Sequence, residues 1–484
     1  MPSTTAAVVG AGIAGMNALA VGSSYLEATD RVLLIDRRHR AGGMWVDTYP
    51  YVRLHQPHPF FTAGDIGWQS GEDRAHLATK HEVLDHFIHC LEVVRGRVQL
   101  DEWHDTDYVS HDASNGTVEI TTRTEDGRVR IARARRLVKA TGLDIRTLDP
   151  LQVSSTSVHS VSPDSCDVRS GDIADSNAPV WIIGGGKTAM DTACALIAGN
   201  PAREVNMLVG TGTFFFERDR AFPTGAKRYV GGQRGFTVFR DWADRFDGTN
   251  ETEVMRWFPD AQGIAVTPTV EHFLFGLLSR AEAETIRNGL THPVMDHLTD
   301  VVDGDGSVEM SLRSGATRQI EEGSWLVNCT GYILGREPLT YEPYTSADGR
   351  VATITPTSSI MWLTSMDSYF ATHLLMLDKL ATVPLYELDA DSPARQNRDA
   401  RACAMTAVSM YNQCVLFDHV PREVFTRNGL DFEKWFPAHR QLLSNPEFMK
   451  CRKELRAHTG AALDRVQARF DVRCGPVRQP ATVA

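Results

Sequence analysis

The chain has 484 residues, 42% of them hydrophobic and 23% charged, enough for two or three globular domains with sizeable cores. Its formal net charge of -11 disfavours nucleic acid as a partner, because binding phosphates takes a basic field. No apolar run reaches the roughly 20 residues that span a bilayer. The N-terminus lacks a signal-peptide pattern, and the eight cysteines include no Cys-x-x-Cys pair. A cytoplasmic protein with reduced thiols and no membrane partner is expected.

The first predicted strand, 6–10, runs into Gly10-Ala11-Gly12-Ile13-Ala14-Gly15 and an Ala/Leu-rich helix. In such a turn Gly10 permits the tight exit from the strand, and Gly12 lets the backbone approach a pyrophosphate. Gly15 lets the helix pack on the sheet, and the phosphates meet the free N–H groups of the helix start. The next strand, 31–35, ends in Asp36, close to the expected place of a ribose-binding acid. A helix follows over 80–94. Its His81, His86 and His89 lack the His-Glu-x-x-His spacing, so no metal site is expected. Strands at 117–122 and 128–134 flank the turn Glu125-Asp126-Gly127. Leu137-Val138-Lys139-Ala140-Thr141-Gly142 closes the first half.

After a Ser/Asp/Pro-rich linker at 148–177, the same order of events returns. A strand at 180–183 enters Gly184-Gly185-Gly186-Lys187-Thr188-Ala189, the loop variant with Ala189 in the packing position, and a helix through residue 197. The next strand, 205–209, ends in Gly210-Thr211 and lacks the acid that holds a ribose 2'-hydroxyl. Arg218 and Arg220, just downstream, suit a 2'-phosphate instead, favouring NADPH over NADH. An insertion, about 211–290, carries Phe214-Phe215-Phe216 and one predicted helix at 272–290. Strands at 307–312 and 317–321 lead to Leu326-Val327-Asn328-Cys329-Thr330-Gly331-Tyr332. A second linker occupies 340–359, and helices are expected over 393–417 and 432–462.

The predicted fold class is therefore α/β: two Rossmann-like dinucleotide-binding domains, each with a β-meander, plus a helical C-terminal region. Residues 1–165 and 325–484 are assigned to a discontinuous FAD-binding domain, and 176–324 to an NAD(P)H-binding domain.

The two loops, Ala41-Gly42-Gly43-Met44-Trp45, Ala140-Thr141-Gly142 and Cys329-Thr330-Gly331-Tyr332 occur in an order that resembles the class B flavoprotein monooxygenases. This superfamily holds flavin-containing, N-hydroxylating and Baeyer-Villiger enzymes. The resemblance implies FAD and NADPH as cofactors, and molecular oxygen and a small molecule as reactants. It implies a C4a-(hydro)peroxyflavin that oxygenates nitrogen or sulfur, with ketone oxidation or electron transfer as alternatives. It places Gly10, Gly12, Gly15, Asp36, Gly43, Trp45, Thr141, Gly142, Gly184, Gly186, Lys187, Thr188, Ala189, Thr330 and Gly331 against the cofactors.

Two stretches depart from the family. The linker 157–163 contains His159 but no Phe-x-Gly ahead of it. In Tyr49-Pro50-Tyr51-Val52-Arg53-Leu54-His55, Tyr51 stands in place of a Gly and His55 in place of the Asp that holds a catalytic Arg. His55 is the candidate group for setting the protonation of the activated oxygen, since histidine titrates near neutral pH. Arg53 is a candidate for holding NADPH or a substrate carboxylate, and Gln56 for bonding the flavin edge.

Overall fold

The structure, a computed structural model, describes residues 4–114, 116–142, 145, 147–331, 339–390 and 397–477. Two parallel sheets organise it. In the first, Gln99–Trp103, Arg31–Ile35, Thr4–Val9 and Val129–Lys139 lie side by side, all parallel. The long strand Val129–Lys139 serves two partners on its other edge. Its first half pairs antiparallel with Thr117–Thr124, and through it with Thr106–Ser114, as a meander. Its last three residues take up Val351–Thr353 in parallel. The segments expected at 128–134 and 137–142 are thus one strand, because the buried alternation Ala132, Ala134 passes without a break into the two-sided apolar run Leu137-Val138.

The second sheet runs His292–Val294, Val205–Leu208, Val180–Ile183, Trp325–Asn328, His159–Val161, again all parallel. Val180–Ile183 and Trp325–Asn328 are buried at every residue, as central parallel strands are. The sequence placed Trp325–Asn328 at the head of the returning first-domain segment, but it lies inside the second sheet. An all-buried apolar run suits either sheet, and only the pairing chooses. His159 of the linker joins the same sheet and lies against the Trp325 ring, with centroids 4.6 Å apart. A meander of Leu298–Gly304, Ser307–Leu312 and Thr317–Ile320 packs on one face of this sheet through Val301, Val308 and Met310.

The helix predicted over 272–290 is two elements. His272–Leu278 is a strand beside Thr213–Glu217, and Arg280–Gly289 is a helix. Ser279 and Glu282 form a reciprocal capping box that starts the helix there. The run before it is aromatic, and its Gly276 lets the Phe215 ring approach: a Cβ there would lie 3.2 Å from it. In the C-terminal region the helix expected from residue 393 is described from Arg398 to His419 and capped by Asn397; residues 391–396 lie outside the described residues. The helix expected at 432–462 starts later, at Ala438–Phe470, behind Pro437. Thr364–Met376, not anticipated, packs across Ile13–Ser23, where Ser368 Oγ donates to the Ala14 carbonyl at 2.6 Å. Among the described residues no helix is long and apolar enough to cross a membrane.

Candidate active site: two dinucleotide cradles in one cavity

Each glycine loop forms where a strand passes straight into a helix. Gly10 has φ +98°, and a Cβ on it would lie 2.3 Å from the Ala140 carbonyl oxygen; at Gly184, φ +134°, the Cys329 carbonyl oxygen would be 2.1 Å away. Glycine is demanded at both by conformation and by the neighbouring strand's closeness. The helices Ile13–Ser23 and Lys187–Gly199 then begin at Gly12 and Gly186 with no side-chain cap. Their first N–H groups lack intrahelical acceptors and point out of the sheet. By contrast, Lys80–Arg97 and Arg280–Gly289 both start with full capping boxes.

Both uncapped starts open into one cavity of about 1500 Å³. Of the cofactor residues read from sequence, Gly10, Gly12, Asp36, Gly43, Trp45, Thr141, Gly142, Gly184, Gly186, Lys187, Thr188, Thr330 and Gly331 line it. Gly15 and Ala189 do not; they are packing positions, where a Cβ on Gly15 would sit 1.7 Å from the Gly10 carbonyl and Ala189 is fully buried. Asp36 steadies the first loop, accepting from the Ala11 N–H at 2.5 Å and from the Arg38 N–H at 2.7 Å. Each carboxylate oxygen keeps a further lone pair for a ribose hydroxyl. Tyr332 lies outside the described residues.

Arg218 and Arg220 are not in the lining. Arg218 pairs with Glu282 at 2.8 Å and donates to the His55 carbonyl at 2.7 Å, while Arg220 pairs with Glu217 and the Ala261 carbonyl. Nearness in sequence to the strand end misled the expectation: Thr213–Glu217 carries both arginines away into the insertion. The residues beside Gly210-Thr211 are instead Asp296, whose carbonyl accepts from the Gly210 N–H at 2.9 Å, with His297 and Arg313, all at the edge of the second meander. A Cβ on Gly210 would lie 2.8 Å from the His297 ring. The Thr211 hydroxyl is buried with no partner among the described residues. Sequence carried no signal for this convergence, since residues about 90 to 100 apart meet through parallel pairing.

Arg53, His55 and Gln56 also line the cavity. Tyr49 Oη donates to Asp191 at 2.8 Å, and the Tyr51 and Thr192 hydroxyls bond at 2.8 Å, so this segment is fastened to the second glycine helix. Lys187 also pairs with Asp191. His55 is not a neutral-pH switch. Burial, with the Lys187 and Arg218 charges nearby, pushes its pKa down to about 3 against the opposing pull of Glu282. The Leu277 N–H donates to Nδ1 at 3.1 Å, which leaves the imidazole proton on Nε2. Arg53 is exposed and donates to the Leu77 carbonyl at 3.3 Å. Trp45 is buried, edge-on to Phe61.

Thr364 and Ser365 bring a third uncapped helix start to the cavity. Beside them Phe216, Phe239, Phe275 and Trp362 form an aromatic wall, with Phe275 4.6 Å from Trp362. Among the described residues Cys329 is the one cysteine in the lining; burial pushes its thiol up to about 12, so it is no thiolate nucleophile. Among the described residues no group of three His, Cys, Asp or Glu side chains is placed to hold a metal ion.

The pyridine nucleotide-disulphide oxidoreductase family matches residues 4–221, a stretch containing both loops. That match covers a little under half of the chain and shows what residues 4–221 are similar to. The uncapped N–H rows and glycine-lined approaches fit the diphosphates of two dinucleotides. Curated relatives are uncharacterized proteins of Mycobacterium bovis and Mycobacterium tuberculosis, 34% identical over 90 residues, 16% of this chain and 16% of theirs. The chain thus matches about a sixth of those relatives' length. Cyclohexanone monooxygenase from Rhodococcus sp. Phi1 bound to NADP+ is 14% identical with a TM-score of 0.51, over 93% of this chain and 98% of that one. The chain shares the fold of that protein. Ornithine N-hydroxylase of Kutzneria sp. 744 is 13% identical with a TM-score of 0.47, over 78% of this chain and 98% of that one.

Proposed function

We propose that the chain is an NADPH- and FAD-dependent monooxygenase that oxygenates a small molecule at nitrogen or sulfur. The observation that carries this is the opening of two uncapped, glycine-lined helix starts into one cavity. When bound, FAD takes hydride from the nicotinamide and activates oxygen; the protein orients the two and excludes water. Gly12, Asp36, Gly43 and Thr141 hold FAD on the first sheet. Gly186, Thr188 and Thr330 hold NADPH on the second, with Thr211, His297 and Arg313 around the 2'-phosphate. The basic His297 and Arg313 beside the Thr211 hydroxyl, which is unpartnered among the described residues, and a strand end at Gly210-Thr211 that carries no acid support NADPH over NADH.

Oxygenation of nitrogen or sulfur draws on a protonated oxygen donor, and insertion beside a carbonyl on an ionised one. At the position where the ketone oxidisers carry the carboxylate that holds an arginine, this chain has the neutral His55, and Arg53 bonds a backbone carbonyl. The aromatic wall shields the reacting region. The test is NADPH consumption screened against amines, amino acids, sulfides and ketones under labelled oxygen, with hydrogen peroxide measured alongside. One labelled oxygen atom in an amine or sulfide product supports the reading. Peroxide equal to the NADPH consumed with every compound, together with fast reduction of an artificial electron acceptor, makes the protein a reductase.

A further inference from the structure

The chain is acidic overall, yet one surface carries a basic and apolar projection. After the short helix Ala226–Tyr229, Tyr229 and Val230 stand 52% and 77% exposed. The long helix Ala438–Phe470 lies beside them. His439 Nε2 is 3.3 Å from the Tyr229 carbonyl, and the Arg440 guanidinium donates to the carbonyls of Lys227, Arg228 and Gly232. At 3.6 residues per turn, His439, Leu442, Pro446, Met449, Lys450 and Lys453 share one face of that helix. Leu442 is 70% exposed; it and Val230 are the most exposed large hydrophobic side chains among the described residues.

These apolar groups are held out, not left loose. Three backbone bonds from Arg440 pin the turn, and Arg228 lies over both Tyr229 and Trp435. Around them Lys227, Lys450 and Lys453 are exposed. Of the nearby acids, Glu447 is committed to Arg234 and Arg240, and Glu454 stands at the flank. We propose that Tyr229, Val230, Leu442 and Met449, together with the exposed Lys227, Lys450 and Lys453 on the same two helices, dock the protein on an anionic lipid bilayer. Aliphatic and aromatic groups enter the headgroup layer while the ammonium groups meet lipid phosphates. The lack of a membrane-spanning run does not bear on surface docking. Phe222, Gln233 and Gly235, which flank the projecting turn, line the cavity, so docking brings lipid-dissolved molecules to its rim.

The test is co-sedimentation of the FAD-loaded protein with vesicles of phosphatidylcholine alone or mixed with phosphatidylglycerol. Binding is expected to the mixed vesicles only, and to fall with added salt. The double variants Val230→Ser with Leu442→Ser, and Lys450→Glu with Lys453→Glu, are expected to bind about tenfold or more weakly, with flavin absorbance and NADPH oxidation in solution unchanged. No binding, equal binding to both vesicles, or undiminished binding by the variants overturns the proposal. So does light scattering showing a dimer that Val230→Ser with Leu442→Ser turns to monomer, since a second copy would then cover the surface.

Discussion

His55 offers a quantitative test of the site's electrostatics. Its folded pKa, about 3, lies well below the 6.5 of an exposed histidine. For a base depressed in this way the unfolded chain takes up the proton first, so stability falls as pH drops through about 6.5 and levels off near 3. At about pH 5 the unfolded residue is almost fully protonated and the folded one almost fully neutral. The linkage costs on the order of 2 kcal/mol relative to about pH 7.5. His86 and His373, depressed by burial to about 3 and about 4, add losses of the same sign, so the comparison must isolate His55. His55→Asn keeps an acceptor at the δ position for the Leu277 N–H and removes the titrating group. Urea unfolding of the FAD-loaded wild type and variant, followed at both pH values, should show a stability loss smaller by about 2 kcal/mol in the variant. Equal losses would mean His55 is solvated and free to titrate, and the argument for a fixed neutral imidazole would fail.

Gly10→Ala should give colourless protein, because its Cβ would lie 2.3 Å from the Ala140 carbonyl; flavin absorbance after purification decides. Gly184→Ala should keep the flavin yet raise the KM for NADPH about tenfold or more, in line with the strain of an alanine at positive φ; an unchanged KM would refute the second cradle. Arg313→Ala should raise the KM for NADPH by roughly 10- to 100-fold, the worth of a charged hydrogen bond, and leave that for NADH alone. Arg218→Ala should lower stability without this selectivity, since Glu282 loses its partner; a selective NADPH defect would restore the sequence-based assignment. Tyr51→Phe, which leaves the Thr192 hydroxyl without this partner, should cost about 1–3 kcal/mol in chemical unfolding.

Local chemistry made much of this protein legible in its sequence. The two glycine loops, Asp36 and the strands around them announce themselves because conformational demand and backbone crowding at Gly10 and Gly184 admit one residue type, and strand and helix periods are local. Tertiary structure alone decided what depends on convergence. Trp325–Asn328 pairs into the second sheet, a choice its uniformly apolar run leaves open. The insertion turns Arg218 and Arg220 away while the second meander brings His297 and Arg313 to Thr211. Thr364 and Ser365, and Trp362 just ahead of them, reach the cavity because the helix that Thr364 starts crosses Ile13–Ser23. His55 seemed suited to titrate near neutrality, yet a pKa is set by burial and by charges such as Lys187 and Arg218, over 130 residues away in the chain and adjacent only once it has folded.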